Sequence, residues 1–313
     1  MKKEMLAILA CPKCKAALSL TADEPEKGTA DDAEIREGTL RCETGHSFPV
    51  VDYIPRFVAS DEYAASFSFE WKIHRRTQLD DETSRASQRS FLQKTGFDLN
   101  ELKGKLVLDV GVGAGRYADV VETAGAKVVG IDLSFSVDVA FENLGRREDV
   151  HLAQADIYGL PFKDETFDYI YSIGVLHHTP DAKAAFLQLP RLLKRGGRLA
   201  IWVYDAYTTG QRINRVLRSI TTKLPKRLLY TLCFLAIPLY WPKKIPLLGT
   251  LLQIALPSAM WKSWRWRILD TYDWYSPKYQ SRHTYFEVAG WFREAGLKCI
   301  EVLEFPVSLS GKR

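Results

Sequence analysis

Gly111, Gly113 and Gly115 follow an apolar run at residues 106–110, with Asp109 two positions before the first of them. Glycine at the end of a strand lets the backbone turn sharply and approach a ligand closely. Asp132, followed by Leu133, closes a second apolar run at 127–131, and Asp156, followed by Ile157, comes after a third at 151–154. If these runs are parallel strands, the carboxylates stand where open α/β sheets bind ligands, outside the carboxyl ends of the strands. Such a set suits a ligand with hydroxyls, an exocyclic amine and a cationic amino group, and it would repel a pyrophosphate. The glycine spacing also departs from the G-x-G-x-x-G of nicotinamide-binding sheets. A glycine run alone is only a tight turn; the three aspartates make it a candidate site.

The second chemical pattern is Cys11-Pro12-Lys13-Cys14 with Cys42-Glu43-Thr44-Gly45-His46. C-x2-C and C-x3-H pairs can bring four soft or borderline ligands into the tetrahedron that Zn2+ prefers, and a closed four-ligand set is structural. A segment this small needs such a staple to fold. The five cysteines are odd in number and the first three are clustered, which excludes a secreted disulfide framework. Cys233 and Cys299 lie outside any motif and read as apolar residues. The apolar run at residues 5–10 is shorter than a secretory h-region, so the chain is expected to be intracellular.

These groups need a scaffold, and the hydrophobic pattern predicts one. The 313 residues are 46% hydrophobic and 26% charged, which excludes disordered and collagenous chains. Strand signals at 106–110, 127–131, 151–154, 167–173 and 198–204 alternate with helical spacing at 114–124, after a Ser134 cap, and at 181–194 before Gly196-Gly197. That alternation implies a parallel sheet with right-handed crossovers. The pattern breaks at 205 and resumes with Thr284-Tyr285-Phe286-Glu287, a capping box. Residues 298–304 and 307–310 then finish the sheet as a hairpin around Pro306, while 21–38 read as a solvated loop or long hairpin tip. The expected units are 1–58 as the metal segment, 59–104 as a helical linker and cover, 105–204 with 281–313 as the sheet domain, and 205–280 as an insertion.

Residues 105–204 resemble the class I S-adenosylmethionine-dependent methyltransferases. The resemblance rests on residues 107–115, Gly130-Ile131-Asp132, Gln154-Ala155-Asp156, 167–178 and 193–199. It implies an α/β fold with a Rossmann-like seven-stranded sheet, and a helical insertion after the fifth strand. It also implies that S-adenosyl-L-methionine lies with its methionine part near Asp109 and the glycines, its ribose at Asp132 and Leu133, its adenine at Asp156 and Ile157, and its sulfonium near Ser172 and Ile173. Methyl transfer is an in-line displacement in which the protein positions the nucleophile and excludes water. A hydroxyl acceptor would want a base; His177 and His178 are candidates, though either could simply pack or cap the next turn. The N-terminal segment resembles the zinc ribbon of tRNA-methyltransferase activator proteins, in residues 9–12 and 48–55 as well as in the ligands. A similar ribbon precedes the catalytic domain of certain 23S rRNA guanine methyltransferases, which keeps rRNA or tRNA as an alternative acceptor.

Charge is unevenly spread. The chain carries 43 Lys/Arg against 38 Asp/Glu, but residues 206–269 hold eleven Lys/Arg and no acid, so the remainder has 32 against 38. Within that insertion two uncharged runs, 228–242 and 245–261, are broken by prolines and bordered by Trp241, Trp261, Trp264 and Trp266. Neither reaches the ~20 apolar residues of a spanning helix. The insertion therefore reads first as a lid over the substrate pocket, and also as a segment that touches a membrane surface. Tyr275, Tyr279 and His283 are candidate substrate contacts. The sequence thus predicts a cytoplasmic methyltransferase, peripheral at the inner membrane face, that modifies a small-molecule or lipid-linked acceptor at O or N.

Overall fold

The computed structural model describes residues 1–22, 34–81, 84–207 and 211–313. β1 (Leu18–Ala22), β2 (Gly38–Cys42), β3 (Ser47–Val51) and β4 (Ile54–Pro55) form an antiparallel sheet in that order. The ends of the predicted loop at 21–38 belong to β1 and β2, which pair from Leu18↔Cys42 to Ala22↔Gly38. The tip, 23–33, lies outside the described residues.

Two helices follow, α1 (Ala65–Ile73) and α2 (Ala86–Thr95), and then the alternating part of the chain. This comprises β5 (Leu106–Val110), α3 (Arg116–Thr123), β6 (Lys127–Asp132), α4 (Ser136–Leu144), β7 (Val150–Gln154), β8 (Phe167–Ile173), α5 (Ala182–Phe186) and β9 (Leu193–Trp202). The insertion contributes α6 (Gln211–Thr221), α7 (Lys226–Cys233), α8 (Leu248–Ala255) and α9 (Trp264–Tyr275). The chain ends with α10 (Tyr285–Glu294), β10 (Lys298–Val302) and β11 (Ser308–Lys312). The helix predicted over 181–194 is cut short: α5 stops at Phe186, and Pro190, which has no N–H to donate, opens a separate turn.

The seven-stranded sheet runs β10-β11-β9-β8-β5-β6-β7, with β11 antiparallel to both neighbours. From β5 the chain steps outward to β7, then crosses back to add β8 and β9 on the other side of β5. Strand order therefore reverses between β5 and β8, and the crevice at their carboxyl ends is the binding place of such sheets. The strands are near-continuous apolar runs because both faces are covered. Leu108 and Val110 face one core with Phe186 and Phe292. Val107 and Tyr171 face the other with Phe91 and Phe97 of the 59–104 segment.

The N-terminal ribbon is not a bead on a linker. Met5, Leu9, Leu40 and Phe48 belong to the same apolar core as Leu108 and Phe162. The Ala10 N–H donates to Pro161 O at 3.0 Å, and that of Lys163 to Ile8 O at 3.0 Å. Phe57 N–H donates to Gln154 O at 2.9 Å, which covers the outer edge of β7 and leaves fewer unpaired groups there. Lys2 Nζ donates to the carbonyls of Val150, at 2.8 Å, and Arg147, beyond the end of α4.

The insertion has a small core of its own: Leu229, Cys233, Ile268, Tyr272 and Tyr275. Its loops are tied by one buried guanidinium. Arg267, 3% exposed, donates to the carbonyls of Trp261 (3.0 and 2.8 Å), Lys262 (3.2 Å) and Ala236 (3.4 Å), and its guanidinium lies 3.7 Å from the Tyr240 ring centroid. Arg267→Met would strand those carbonyls at about 1–3 kcal/mol for each that stays dry. We expect trypsin to cut this variant at Lys243, Lys244 or Lys262 several-fold faster than the parent, with the sheet domain surviving as a resistant fragment. Equal cleavage rates would show that the guanidinium does not hold the loops.

Candidate functional site

β5 delivers the chain to the crevice, and the glycines let it turn there. Gly111, Gly113 and Gly115 have φ of +87°, +53° and +91°, a region L side chains rarely enter. The N–H groups of Gly111 and Val112 both donate to Ile131 O, at 2.8 and 2.9 Å, so the turn is tied to β6. A Cβ on Gly111 would lie 2.2 Å from Val175 Cγ2; one on Gly113 would lie 3.3 Å from the Trp71 indole. Val175 and Trp71 thus roof a stretch of bare backbone. Ser172 Oγ donates to Val110 O at 3.1 Å and clamps β8 to β5 beneath the turn.

The crevice opens into a cavity of about 1280 Å³. That exceeds the ~300–1,000 Å³ usual for one small ligand and leaves room for a cofactor and an acceptor together. Gly111, Gly113, Asp132, Leu133, Ile157, Ile173 and His178 are on its wall. Asp132 Oδ2 accepts from Gly113 N–H at 3.0 Å, and Oδ1 accepts from Ser134 N–H (2.8 Å) and Oγ (2.7 Å). Burial raises its pKa against the pull of those donors. Oδ2 keeps acceptor capacity for a ribose hydroxyl.

The other predicted residues lie off that wall. Gly115 precedes α3, and a Cβ there would meet Leu144 at 2.6 Å. Asp109 is 2% exposed below the turn, in register with Tyr171 on β8, and its Oδ2 has no hydrogen-bond partner. Burial pushes its pKa up to about 7. Asp156 accepts from Tyr158 N–H at 3.1 Å and so caps the short turn that begins at Ile157. Ser172 is fully buried in its clamp.

His177 and His178 behave differently. His177 is fully buried, stacks on the Tyr204 ring at 3.8 Å, and accepts from Tyr204 N–H at Nδ1. His178 Nδ1 is 3.0 Å from Tyr279 O. A carbonyl can only accept, so Nδ1 carries the proton and Nε2 presents a lone pair, 3.8 Å from Asp273 Oδ1. Burial lowers the pKa of both, that of His178 to about 3, so both are neutral.

The candidate acceptor residues do not line the cavity by their side chains. Tyr275 OH donates to Pro257 O at 2.5 Å inside the insertion. Tyr279 offers its carbonyl to His178, and its ring meets Tyr63 edge-on at 5.6 Å. His283 Nε2 pairs with Ser281 Oγ at 2.8 Å beside Trp291. That side of the cavity is instead lined by α1, with Phe67, Glu70 and Trp71, and by α9, with Leu269, Asp270, Asp273 and Trp274. Tyr204 OH donates to Asp273 Oδ2 at 2.8 Å. Burial raises the carboxyl pKa of Asp270 to about 7 and of Asp273 to about 6. Asp270 and Asp273 are the first acids after the acid-free stretch 206–269, and that signal was in the sequence.

Cys11, Cys14, Cys42 and His46 gather their ligand atoms within 4.8 Å of one another. Cys14 and Cys42 sulfurs are 3.7 Å apart, and His46 Nδ1 is 3.6 and 3.5 Å from the sulfurs of Cys11 and Cys42. Tetrahedral Zn–S bonds of ~2.3 Å put sulfurs roughly 3.8 Å apart, so the set fits one Zn2+. The bare glycine turn and the acceptor capacity of Asp132 likewise fit S-adenosylmethionine.

Two outcomes follow from these environments. Cys42→Ser should cut zinc content from one ion per chain to near none by metal analysis, and lower the thermal midpoint; full zinc content would disprove the ligand set. For Asp109, both folded and unfolded chains hold the proton below about pH 4. As pH rises from there to about 7, the unfolded carboxyl ionises while the folded one stays protonated, so stability is lost, and the penalty is complete above that. Asp109→Asn should therefore stabilise the chain at pH 8, by up to about 4 kcal/mol, and not near pH 4. Thermal unfolding at the two pH values checks this, and no difference between them would contradict the buried neutral carboxyl.

A family model described as a methyltransferase domain matches residues 108–201, and one described as Trm112p-like protein matches residues 2–52. An O-methyltransferase of Penicillium expansum, cnsE, is 35% identical over 125 residues, 38% of this chain and 45% of that protein. Phosphoethanolamine N-methyltransferase 2 of Caenorhabditis elegans is 36% identical over 32% of this chain and 24% of its own length. The demethylmenaquinone methyltransferase of Thermobifida fusca is 34% identical over 36% of this chain and 50% of its own. The chain thus spans about a quarter to a half of the length of these relatives. Among solved structures, a SAM-dependent methyltransferase from Aquifex aeolicus aligns over 79% of this chain and 96% of its own, with 16% identity and a TM-score of 0.43. A chain from the complex between the Haloferax volcanii Trm112 methyltransferase activator and a putative methyltransferase aligns over the same shares, with 15% identity and a TM-score of 0.45. Residues 108–201 are a methyltransferase domain, and residues 2–52 of the same chain are a Trm112p-like domain.

Proposed function

We propose that this protein transfers a methyl group from S-adenosylmethionine to an acceptor that reaches it from an anionic lipid surface. The observation that carries the reading is the continuity of two surfaces. Of the 25 large apolar side chains exposed among the described residues, 18 lie between Tyr207 and Trp264. Three of them, Ile254, Met260 and Trp261, also line the cavity that contains the glycine turn. The cavity mouth therefore opens through the insertion, amid exposed apolar groups such as Leu247, 82% exposed, and Trp241, 70% exposed. Exposed apolar surface of this extent marks an interaction site. With eleven cations and no acid in residues 206–269, its electrostatic complement is anionic. No helix among the described residues is long and apolar enough to cross a membrane, so the contact would be peripheral.

When bound, S-adenosylmethionine supplies an electrophilic methyl on a sulfonium. The chain's own part is positional. Asp132 and Leu133 would hold the ribose end, Ile157 and Asp156 the adenine end, and the turn at Gly111 and Gly113 would admit the methionine end. Trp71 and Val175 shut water out from above. Of the two histidines, His178 is the one that reaches the acceptor: its Nε2 lone pair can take a proton or hold a donor, and the Tyr279 carbonyl fixes its tautomer. His177 holds Tyr204 against the sheet.

Calorimetry with S-adenosylhomocysteine should show one site per chain, weakened at least tenfold in Gly111→Ala, whose Cβ collides with Val175. Undetectable binding by the parent would sink the reading. Vesicles of phosphatidylglycerol should sediment the protein and those of phosphatidylcholine should not, with several-fold loss in Trp241→Ser/Leu247→Ser. Salt-sensitive retention of RNA without vesicle binding would replace the lipid-delivered acceptor by rRNA or tRNA.

A further inference from the structure

The acceptor wall contains hydrogen-bond acceptors that no side chain of the protein satisfies. Glu70 is 1% exposed, and its Oε2 has no partner. His178 is 4% exposed, and its Nε2, a bare lone pair, has none either. Asp273 uses Oδ2 for Tyr204 OH, while Oδ1 stands 3.8 Å from that lone pair. All three residues line the cavity, from α1, from the turn after β8 and from α9. Asp270 beside them is already satisfied by Gln78 Nε2, at 3.3 Å, and by Trp261 Nε1. The Arg218 guanidinium donates to the carbonyls of Trp274 (2.9 Å) and Pro277 (2.6 Å), and from there its charge lowers the Asp273 pKa without pairing with the carboxylate.

Buried acceptors without donors are costly, and the cost is relieved by a ligand that brings the donors. An ammonium brings several N–H donors and a positive charge. A hydroxyl brings one donor and no charge. A phosphate or carboxylate brings only repulsion. Among the described residues, only the Cys11, Cys14, Cys42 and His46 set is gathered closely enough to hold a metal ion. Burial raises the pKa of Glu70, with Asp273 and Asp270 adding to it, and burial with Asp273 beside it raises that of Asp270, which a bound cation would reverse.

We infer that Glu70, Asp273 and His178 form a subsite for a protonated amine, so that the methyl acceptor is an amine-bearing molecule. This rests on the proposed methyl transfer and narrows its acceptor class. The position also fits delivery from a lipid surface. The basic exterior of the insertion draws the ligand's anionic surroundings, and the acidic wall inside draws its cationic group.

The test uses the full chain saturated with S-adenosylhomocysteine and titrated with n-octylammonium or 1-octanol at pH 7.5. Octylammonium should bind at least tenfold more tightly than octanol. Glu70→Gln and Asp273→Asn should each weaken octylammonium at least tenfold, leaving octanol and S-adenosylhomocysteine within about twofold. The two variants lie on different helices, so the loss must appear in whichever keeps the parent's thermal midpoint. Unchanged octylammonium affinity in a folded variant would overturn the inference, as would equal affinity for octanol. Competition between octylammonium and S-adenosylhomocysteine would also overturn it, because the cluster would then serve the cofactor. Failure of the parent to bind S-adenosylhomocysteine at all would instead defeat the methyltransferase reading on which the subsite rests.

Discussion

The turn at residues 111–115 is the constraint on which the rest of the site depends. Two N–H groups of the turn share the Ile131 carbonyl, and a third, on Gly113, donates to Asp132. The same glycines therefore tie β5 to β6 and fix the Asp132 carboxylate. Val175 and Trp71 close over the turn only because no side chain stands there; a single Cβ at position 111 would overlap Val175. From one backbone conformation follow the position of the Asp132 carboxylate, the approach of α1, and the depth of the cavity. The reversal of strand order between β5 and β8 supplies the space, and the Ser172 hydroxyl keeps it from splaying.

The N-terminal ribbon depends on this body as much as on its cysteine–histidine cluster. Its apolar side chains sit in the core beneath β5 and β6, and its backbone covers the edge of β7. A zinc-stapled segment this small has little core of its own. The Cys11, Cys14, Cys42 and His46 cluster gathers residues 11–14 and 42–46, and the shared core holds the segment in place. Lys2 and Glu4 tighten the seam: Glu4 reaches Lys127 at 3.4 Å and His151 at 3.2 Å. A disturbance of the Cys11, Cys14, Cys42 and His46 cluster should therefore be felt at β7, next to the cavity wall at Ile157.

The sheet was legible because each parallel strand is a short apolar run followed by a distinct punctuating residue: Gly111, Asp132, Asp156 or Gly174. The meeting of Cys11, Cys14, Cys42 and His46 was legible from spacing alone. What the sequence concealed was the phase of α9 and the meeting of distant segments. Tyr275 and Asp273 are two residues apart on one helix, yet one side chain points into the insertion core and the other into the cavity. Neither propensity nor motif distinguishes them. Glu70 and Asp273 are two hundred positions apart, and only the packing of α1 on α9 joins them. The predicted helix at 181–194 failed for a local reason, since Pro190 outweighed the apolar spacing around it.

The division of charge has a physical consequence for how the two halves of the cavity can work. A basic insertion over an acidic wall would collapse into ion pairs if the cations could reach inward. Several of the inner cations are engaged elsewhere: Arg267 and Arg218 on carbonyls, Lys243 on Leu256 O and Ser258 Oγ, Arg116 on Ser87 Oγ, Arg282 on Asp205 O, and Lys94 over the Trp202 and Phe305 rings. Glu70 and Asp273 are left without a protein counter-ion in contact, raised in pKa and short of donors. Such a wall is unstable when empty and ionised, and it is relieved by a cation that arrives with the ligand. The same buried carboxylates that cost folding energy thus make the cavity selective, because the relief is available to a cationic ligand and denied to a neutral one.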